Sequence, residues 1–188
     1  MIDLRWALQL LCAVALLAGR ARADAVELSD GRILQGKVLE ATADGIRMAL
    51  ENGTEVFVPI EFVAPNSYSS YRRAALADGD LAGRLALADY CLTEGLLAEA
   101  AALVRQVGAA DPSQAPEVER FLRRIDEREA DLALQRAREA RVAGEHEEAL
   151  ELVKKVLIEH EDTPAAQGAE AELDEIVARL EEERKKAV

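Results

Sequence analysis

Two stretches of this chain, residues 85–107 and 134–156, repeat each other at one constant offset. Small residues recur where two helices would approach, a glycine recurs near the middle, and valines recur at i and i+3 in the second half. The identical pairs are Leu85/Leu134, Ala88/Ala137, Gly95/Gly144, Glu99/Glu148, Ala100/Ala149, Leu103/Leu152, Val104/Val153 and Val107/Val156. Because glycine readily adopts the left-handed conformation that ends a helix, this pattern predicts two antiparallel helical hairpins.

Both stretches resemble the tetratricopeptide repeat, whose two helices carry a small residue, a turn glycine, a second-helix alanine and a terminal proline at set positions. In the first unit, about residues 81–112, these are Ala88, Gly95, Ala100 and Pro112. In the second unit, about residues 130–163, they are Ala137, Gly144 and Ala149, and Pro164 falls three residues late. The early aromatic position of the motif has no match in either unit. The resemblance implies a helical array that binds a peptide or protein segment.

The offset between the two units is 49 residues, against 34 in the standard repeat. An inserted helical segment accounts for the excess, and the sequence that follows Pro116 supplies one, with apolar residues on one helical face. We therefore expect one long helix from about Pro116 to Val142, whose second half begins the second unit. Residues 164–186 are expected to form a capping helix with a polar outer face.

Residues 24–66 follow a different period, that of short strands. Asp30-Gly31 and Asn52-Gly53 favour tight hairpin turns, since glycine takes a positive φ without a steric penalty. Between the turns, apolar residues alternate with polar or small ones, which predicts four or five strands in a small barrel or curled sheet. The pattern resembles the small Src-homology-3-like barrels of adaptor and bacterial envelope proteins, which implies peptide binding or packing against partner domains.

The chain as a whole is predicted to be α+β. A small β-barrel-like domain over residues 24–66 precedes an all-α, tetratricopeptide-like array of helical hairpins over residues 67–188. The boundary rests on Pro65 and Asn66, which break the strand pattern, and on the abundance of Ala, Leu, Glu and Arg in the sequence that follows.

The first 23 residues have the composition of a secretory signal peptide. Arg5 precedes an apolar run that is shorter than the roughly 20 residues of a membrane span. Ala21 and Ala23 have the small-x-small spacing of a signal-peptidase site. Cleavage after Ala23 is expected, so the protein would be exported to the periplasm or the cell exterior with no membrane span left. An uncleaved anchor helix is the alternative.

Charge excludes several classes of partner. The chain has a net charge of −13, and removal of residues 1–23, which carry three arginines and one aspartate, would take it to −15. Such a chain repels phosphate backbones and acidic lipid surfaces, so nucleic-acid binding is not expected. Cys91 would be the remaining cysteine, which rules out an intramolecular disulfide.

Candidate chemistry is sparse. His146 and His160 are the two histidines, and neither lies in the HExxH spacing of zinc enzymes. On one continuous helix they would lie about 21 Å apart, which excludes a shared mononuclear site there. The repeat alignment predicts that His146 packs at a helical turn. His160 is expected to be a solvent-facing or partly packed residue at a helix end. Cys91 is expected to be a buried structural thiol. The sequence therefore predicts no catalytic residue, metal site or cofactor.

We expect a non-enzymatic, exported interaction or scaffold protein that holds a peptide or protein segment on the concave face of its helices. On repeat geometry, the first-helix residues that face this surface are Asp89, Leu92, Arg138 and Arg141. Two repeats offer a small surface, so self-association is a further expectation. The alternatives are a structural envelope component without a defined ligand and a metal-dependent enzyme with a site between barrel and helices. Zinc binding that is lost on replacement of His146 would favour the enzyme.

Overall fold

The computed structural model describes residues 24–186. The signal peptide expected over residues 1–23 therefore lies outside the described residues. The chain divides between Ala75 and Leu76 into two compact parts, which we name the sheet unit (residues 24–75) and the helical unit (residues 76–186). This division differs from the boundary after Asn66 that the sequence predicted, because the first helix packs on the sheet.

The sheet unit contains four antiparallel strands in the order β1-β2-β3-β4, which form an open sheet. Gly31 and Gly53 have φ angles of 83° and 82°, and their N–H groups donate to Leu28 and Leu50, so the two glycine turns predicted from the sequence are confirmed. The strands are β1 (Asp24–Glu27), β2 (Ile33–Ala41), β3 (Gly45–Leu50) and β4 (Glu55–Pro59).

The four strands do not close into the predicted barrel. The chain after β4 pairs with the end of β1 through one isolated bridge, between Leu28 and Val63. A 3-10 turn, Ile60–Phe62, follows β4, and a helix begins at Pro65. Too few residues lie between the turn and the helix to form a fifth strand. The element that would complete a barrel is therefore very short.

Helix α1 (Pro65–Ala75) closes the core of the sheet unit. The Tyr68 ring is 3 % exposed, and its hydroxyl donates to the carbonyl of Thr42 at 2.9 Å. Arg72 donates to the carbonyl of Ala41 at 3.1 Å. These bonds satisfy backbone carbonyls at the end of β2 and hold α1 on the sheet. The core residues that share the inner face are Val26, Ile46, Met48, Val58 and Val63.

The helical unit consists of antiparallel helices that each pack against the next along the chain, and α4 also packs against α6. The long helix expected from about Pro116 to Val142 is confirmed, with one residue more at each end. The helices are α2 (Leu81–Thr93), α3 (Leu97–Ala110), α4 (Ala115–Ala143), α5 (His146–Glu159) and α6 (Pro164–Lys186).

The turns α2–α3 and α4–α5 have the same backbone geometry. Gly95 and Gly144 have φ angles of 76° and 84°. The residue after each glycine donates to the carbonyl five residues earlier, from Leu96 to Cys91 and from Glu145 to Ala140. This hydrogen bond and the left-handed glycine satisfy carbonyls at the helix end. The repetition seen in the sequence therefore extends to the hydrogen bonds of the turns.

The recurring small and apolar residues lie in the core. Each hairpin fully buries an alanine on its first helix, and an alanine and two valines on its second; they are Ala88, Ala100, Val104 and Val107, and Ala137, Ala149, Val153 and Val156. Alanine at a helix crossing lets the backbones approach closely, so the repeated positions set the packing distance.

Candidate partner-binding surface

Ion pairs join alternate helices of the helical unit. Asp89 in α2 accepts a hydrogen bond from Arg124 in α4 at 2.9 Å. Further along α4, Arg138 and Arg141 pair with Glu172 in α6. These contacts involve five residues in all. Three of them, Asp89, Arg138 and Arg141, are residues that the sequence predicted for partner binding.

The Glu172 carboxylate lies between two guanidinium groups. Its Oε1 accepts from Nε of Arg138 at 2.7 Å, and its Oε2 accepts from Nε of Arg141 at 2.9 Å. Nη1 of Arg141 also lies 3.0 Å from Glu175. Such charge-assisted bonds are stronger than neutral ones, and the Glu172 side chain is 12 % exposed, so water screens them weakly. The arginines therefore help to hold α6 on α4.

The four residues predicted to contact a partner differ in how much of each side chain is exposed to solvent. The Arg138 side chain is 51 % exposed and Asp89 is 55 % exposed, whereas Arg141 is 29 % exposed. Leu92 is 7 % exposed and belongs to the core, because α3 covers this side of α2. Asp89 and Arg138 are therefore the members of the predicted set with the most exposed side chains.

Sequence reasoning missed the acidic and basic residues that pair with this set, Arg124 and Glu172. Glu172 follows Arg138 by 34 residues, which is the standard length of the tetratricopeptide unit. A search for opposite charges at that spacing would have found this pair. Arg124 follows its partner Asp89 by 35 residues, one more than this spacing, so a search at 34 residues alone would have missed it.

His146 begins α5, and its ring is 12 % exposed. Nε2 lies 3.3 Å from Oε1 of Glu183, and Nδ1 is buried with no hydrogen-bond partner among the described residues. The ring lines an open cavity of about 430 Å³ together with Gly144, Leu180 and Glu183. It packs between the turn and α6, in the place that the repeat alignment predicts for a bulky side chain.

His160 is more deeply buried than the sequence indicated. Its side chain is 8 % exposed, and Nδ1 lies 2.7 Å from Oδ1 of Asp126 in α4. The expectation of a solvent-facing or partly packed helix-end residue is wrong because the residue after α5 turns inward against the long helix. Cys91 is fully buried, which agrees with a structural role for its thiol.

Two carboxyl groups with a lowered pKa lie in turns away from these clusters. Hydrogen bonds from the hydroxyl and the backbone N–H of Ser113 hold the pKa of Asp111 below its usual value. The backbone N–H and the guanidinium of Arg32 lower the pKa of Asp30 in the same way. Both shifts have a local structural cause and do not indicate a reaction centre.

Among the described residues 24–186, none of the helices combines the length and the apolar character that a membrane crossing requires. Comparison with protein-family models, curated proteins and solved structures finds no match to this chain.

Proposed function

We propose that this chain is a non-enzymatic, exported interaction module whose tetratricopeptide-like helical unit holds a peptide or protein segment. The observation that supports this most is the pairing of Arg138 with Glu172, 34 residues later. That spacing equals one standard repeat and brings alternate helices side by side. Stacked helical hairpins of this kind produce extended surfaces that are suited to binding chain segments.

Arg138 defines the chemistry of the contact. A guanidinium has five N–H donors, and the bond from Nε to Glu172 uses one of them. The exposed half of the side chain leaves donors for a carbonyl or carboxylate oxygen of the partner. Because the whole chain has a net charge of −13, a segment with net positive charge would be attracted at long range. We therefore propose a basic segment with an oxygen anchored on Arg138.

The sheet unit is proposed to be a reduced Src-homology-3-like barrel. Three observations support this: the 3-10 turn after β4, the bridge between Leu28 and Val63, and two flanking backbone hydrogen bonds. Ser29 donates to Phe62 at 3.0 Å, and Ala64 donates to Glu27 at 2.9 Å. These bonds pair the chain after β4 with the end of β1, where a fifth strand would close a barrel.

Replacement of Arg138 with glutamine is expected to weaken capture of the partner by about tenfold or more, since a hydrogen bond to a charged group contributes about 1.5–3 kcal/mol. The measurement is a pull-down from envelope extracts with the tagged chain, followed by titration of the recovered partner. Glutamine keeps a donor for Glu172, and Arg141 continues to hold α6. The helical signal in circular dichroism should therefore stay unchanged.

Arg136→Gln is the matched control, because it removes the same charge from another face of the same helix. It should capture the partner as well as the original chain does. Equal capture by the Arg138→Gln and Arg136→Gln variants would contradict the proposed surface. Capture of no partner would favour the alternative of a structural envelope component, and capture of an untagged copy of the chain would indicate self-association.

Export is proposed from residues 1–23, with cleavage after Ala23. The expected result is that the chain recovered from the periplasm or the medium begins at Asp24, as determined by N-terminal sequencing or intact mass. Replacement of Ala23 with a bulky residue such as leucine should block processing, because signal peptidase requires small residues there. Recovery of the unprocessed chain from the cytosol would contradict the proposal.

A further inference from the structure

We propose that Asp126, Glu129 and His160 bind one divalent transition-metal cation, with Zn²⁺ the species best matched to the ligands. Each residue offers a ligand atom, and the three atoms lie within 4.8 Å of one another. An imidazole nitrogen and carboxylate oxygens are established zinc ligands. A site with three protein ligands leaves a fourth position for water or for a group of a bound partner.

The distances suit a cation after a small adjustment. Ligand bonds of about 2.0–2.2 Å in tetrahedral geometry place neighbouring ligand atoms roughly 3.3 Å apart. Nδ1 of His160 and Oδ1 of Asp126 are 2.7 Å apart, which is a hydrogen-bond distance. Replacement of the shared proton by a cation therefore requires these two atoms to separate by less than about 1 Å. The ligand atoms of the group lie up to 4.8 Å apart, so the exposed Glu129 carboxylate would also have to move closer, by up to about 1.5 Å.

The backbone holds the ligands in place without the cation. Asp126 and Glu129 are three residues apart on α4, so their side chains share one face of the helix. His160 follows the last residue of α5. Its carbonyl accepts two hydrogen bonds from Thr163, one from the hydroxyl at 2.7 Å and one from the backbone N–H at 3.0 Å. Thr163 is itself buried, with 5 % exposure. These hydrogen bonds fix the backbone at His160, from which the imidazole ring reaches Asp126.

The site is partly buried and can still be reached from solvent. The His160 side chain is 8 % exposed, whereas Glu129 is exposed. Both residues line a cavity of about 440 Å³ beside the α2–α3 turn, which gives a cation a route from solvent. Two carboxylates match the charge of a divalent cation, which offsets part of the cost of taking that cation out of water.

The cation would join α4 to the turn between α5 and α6. It would therefore stabilise the second hairpin beyond what the hydrogen bond between His160 and Asp126 provides. The competing explanation is that this hydrogen bond is purely structural. The two explanations differ in a measurable way, because a structural pair requires no metal and gains no stability from it.

The test is titration of the purified chain with Zn²⁺ against a chromophoric chelator, together with thermal unfolding. We expect one Zn²⁺ per chain with micromolar affinity, and a rise in Tm of about 5 °C or more at a hundredfold excess over Kd. His160→Ala and Glu129→Gln should each weaken Zn²⁺ binding by about tenfold or more. Glu129 is exposed, so its variant tests the site even if His160→Ala fails to fold.

Two matched controls separate this site from general attraction to an acidic chain. His146→Ala removes the other histidine, and Glu127→Gln removes a neighbouring carboxylate from a different face of α4. Both should bind Zn²⁺ as the original chain does. The proposal is overturned if the original chain binds no Zn²⁺, if Glu129→Gln binds it equally well, or if the controls weaken binding as much as the site variants do.

Discussion

Replacement of Ile176 with alanine is expected to lower the free energy of unfolding of the helical unit by about 3 kcal/mol. Ile176 lies in α6, is fully buried, and belongs to one core cluster with Val153 and Val156 of α5. The loss has two sources, which are the transfer energy of the deleted methyl and methylene groups and the cavity that they leave. Urea denaturation followed by circular dichroism at helix wavelengths measures the change.

Val177→Ala is the control for this prediction, since Val177 is the next residue and is 39 % exposed. Its cost should stay below about 1 kcal/mol, as for other substitutions near the surface. Equal losses for the two variants would mean that α6 does not present the Ile176 side to α5. A large loss for Ile176→Ala alone would support α6 as an integral part of the hairpin array.

Replacement of Gly36 with alanine is expected to destabilise the sheet unit by about 2–3 kcal/mol, the cost of forcing atoms into a well-packed region. A Cβ at Gly36 would overlap the carbonyl oxygen of Ala49 on the neighbouring strand and lie 3.0 Å from its carbonyl carbon. Backbone atoms cannot move aside as a flexible side chain does, so β2 and β3 would have to separate. Amide hydrogen exchange in these strands should accelerate by roughly 30-fold or more.

Gly31→Ala provides the comparison for Gly36. A Cβ there meets nothing within 4 Å, but the φ of 83° is unfavourable for alanine. The expected cost is about 1 kcal/mol, which is the strain of the left-handed conformation without a clash. If the amide hydrogens of β2 and β3 exchange no faster in Gly36→Ala than in Gly31→Ala, the two strands do not approach each other closely at Gly36.

The agreement between sequence and structure is best where a residue acts through its own backbone or its own helical face. Gly31, Gly53, Gly95 and Gly144 all have the positive φ angles that their turns were expected to need. The long helix was predicted to within one residue at each end because its apolar residues follow the helical period and a glycine ends it. These signals are local, so they can be read without knowledge of the packing.

The disagreements arise where a residue's environment depends on another element. Leu92 was placed on the binding surface by its position in the repeat, but packing of α3 on α2 buries it. The domain boundary moved to Ala75 because Tyr68 and Arg72 donate to carbonyls of the sheet, a contact that no periodicity reveals. The expected barrel is an open sheet because the helix begins too soon after β4.

Local periodicity thus specified an α+β chain, the glycine turns and the buried alanines and valines of the two hairpins, since these depend on residues within one or two turns of each other. Which charged side chains and imidazole rings lie next to each other depended on how the helices pack together. Glu172 lies between Arg138 and Arg141, and His160 lies against Asp126, because helices about 34 residues apart are stacked side by side. In a chain with 36 acidic residues, composition allows many such pairs, and the three-dimensional arrangement of the helices selects among them.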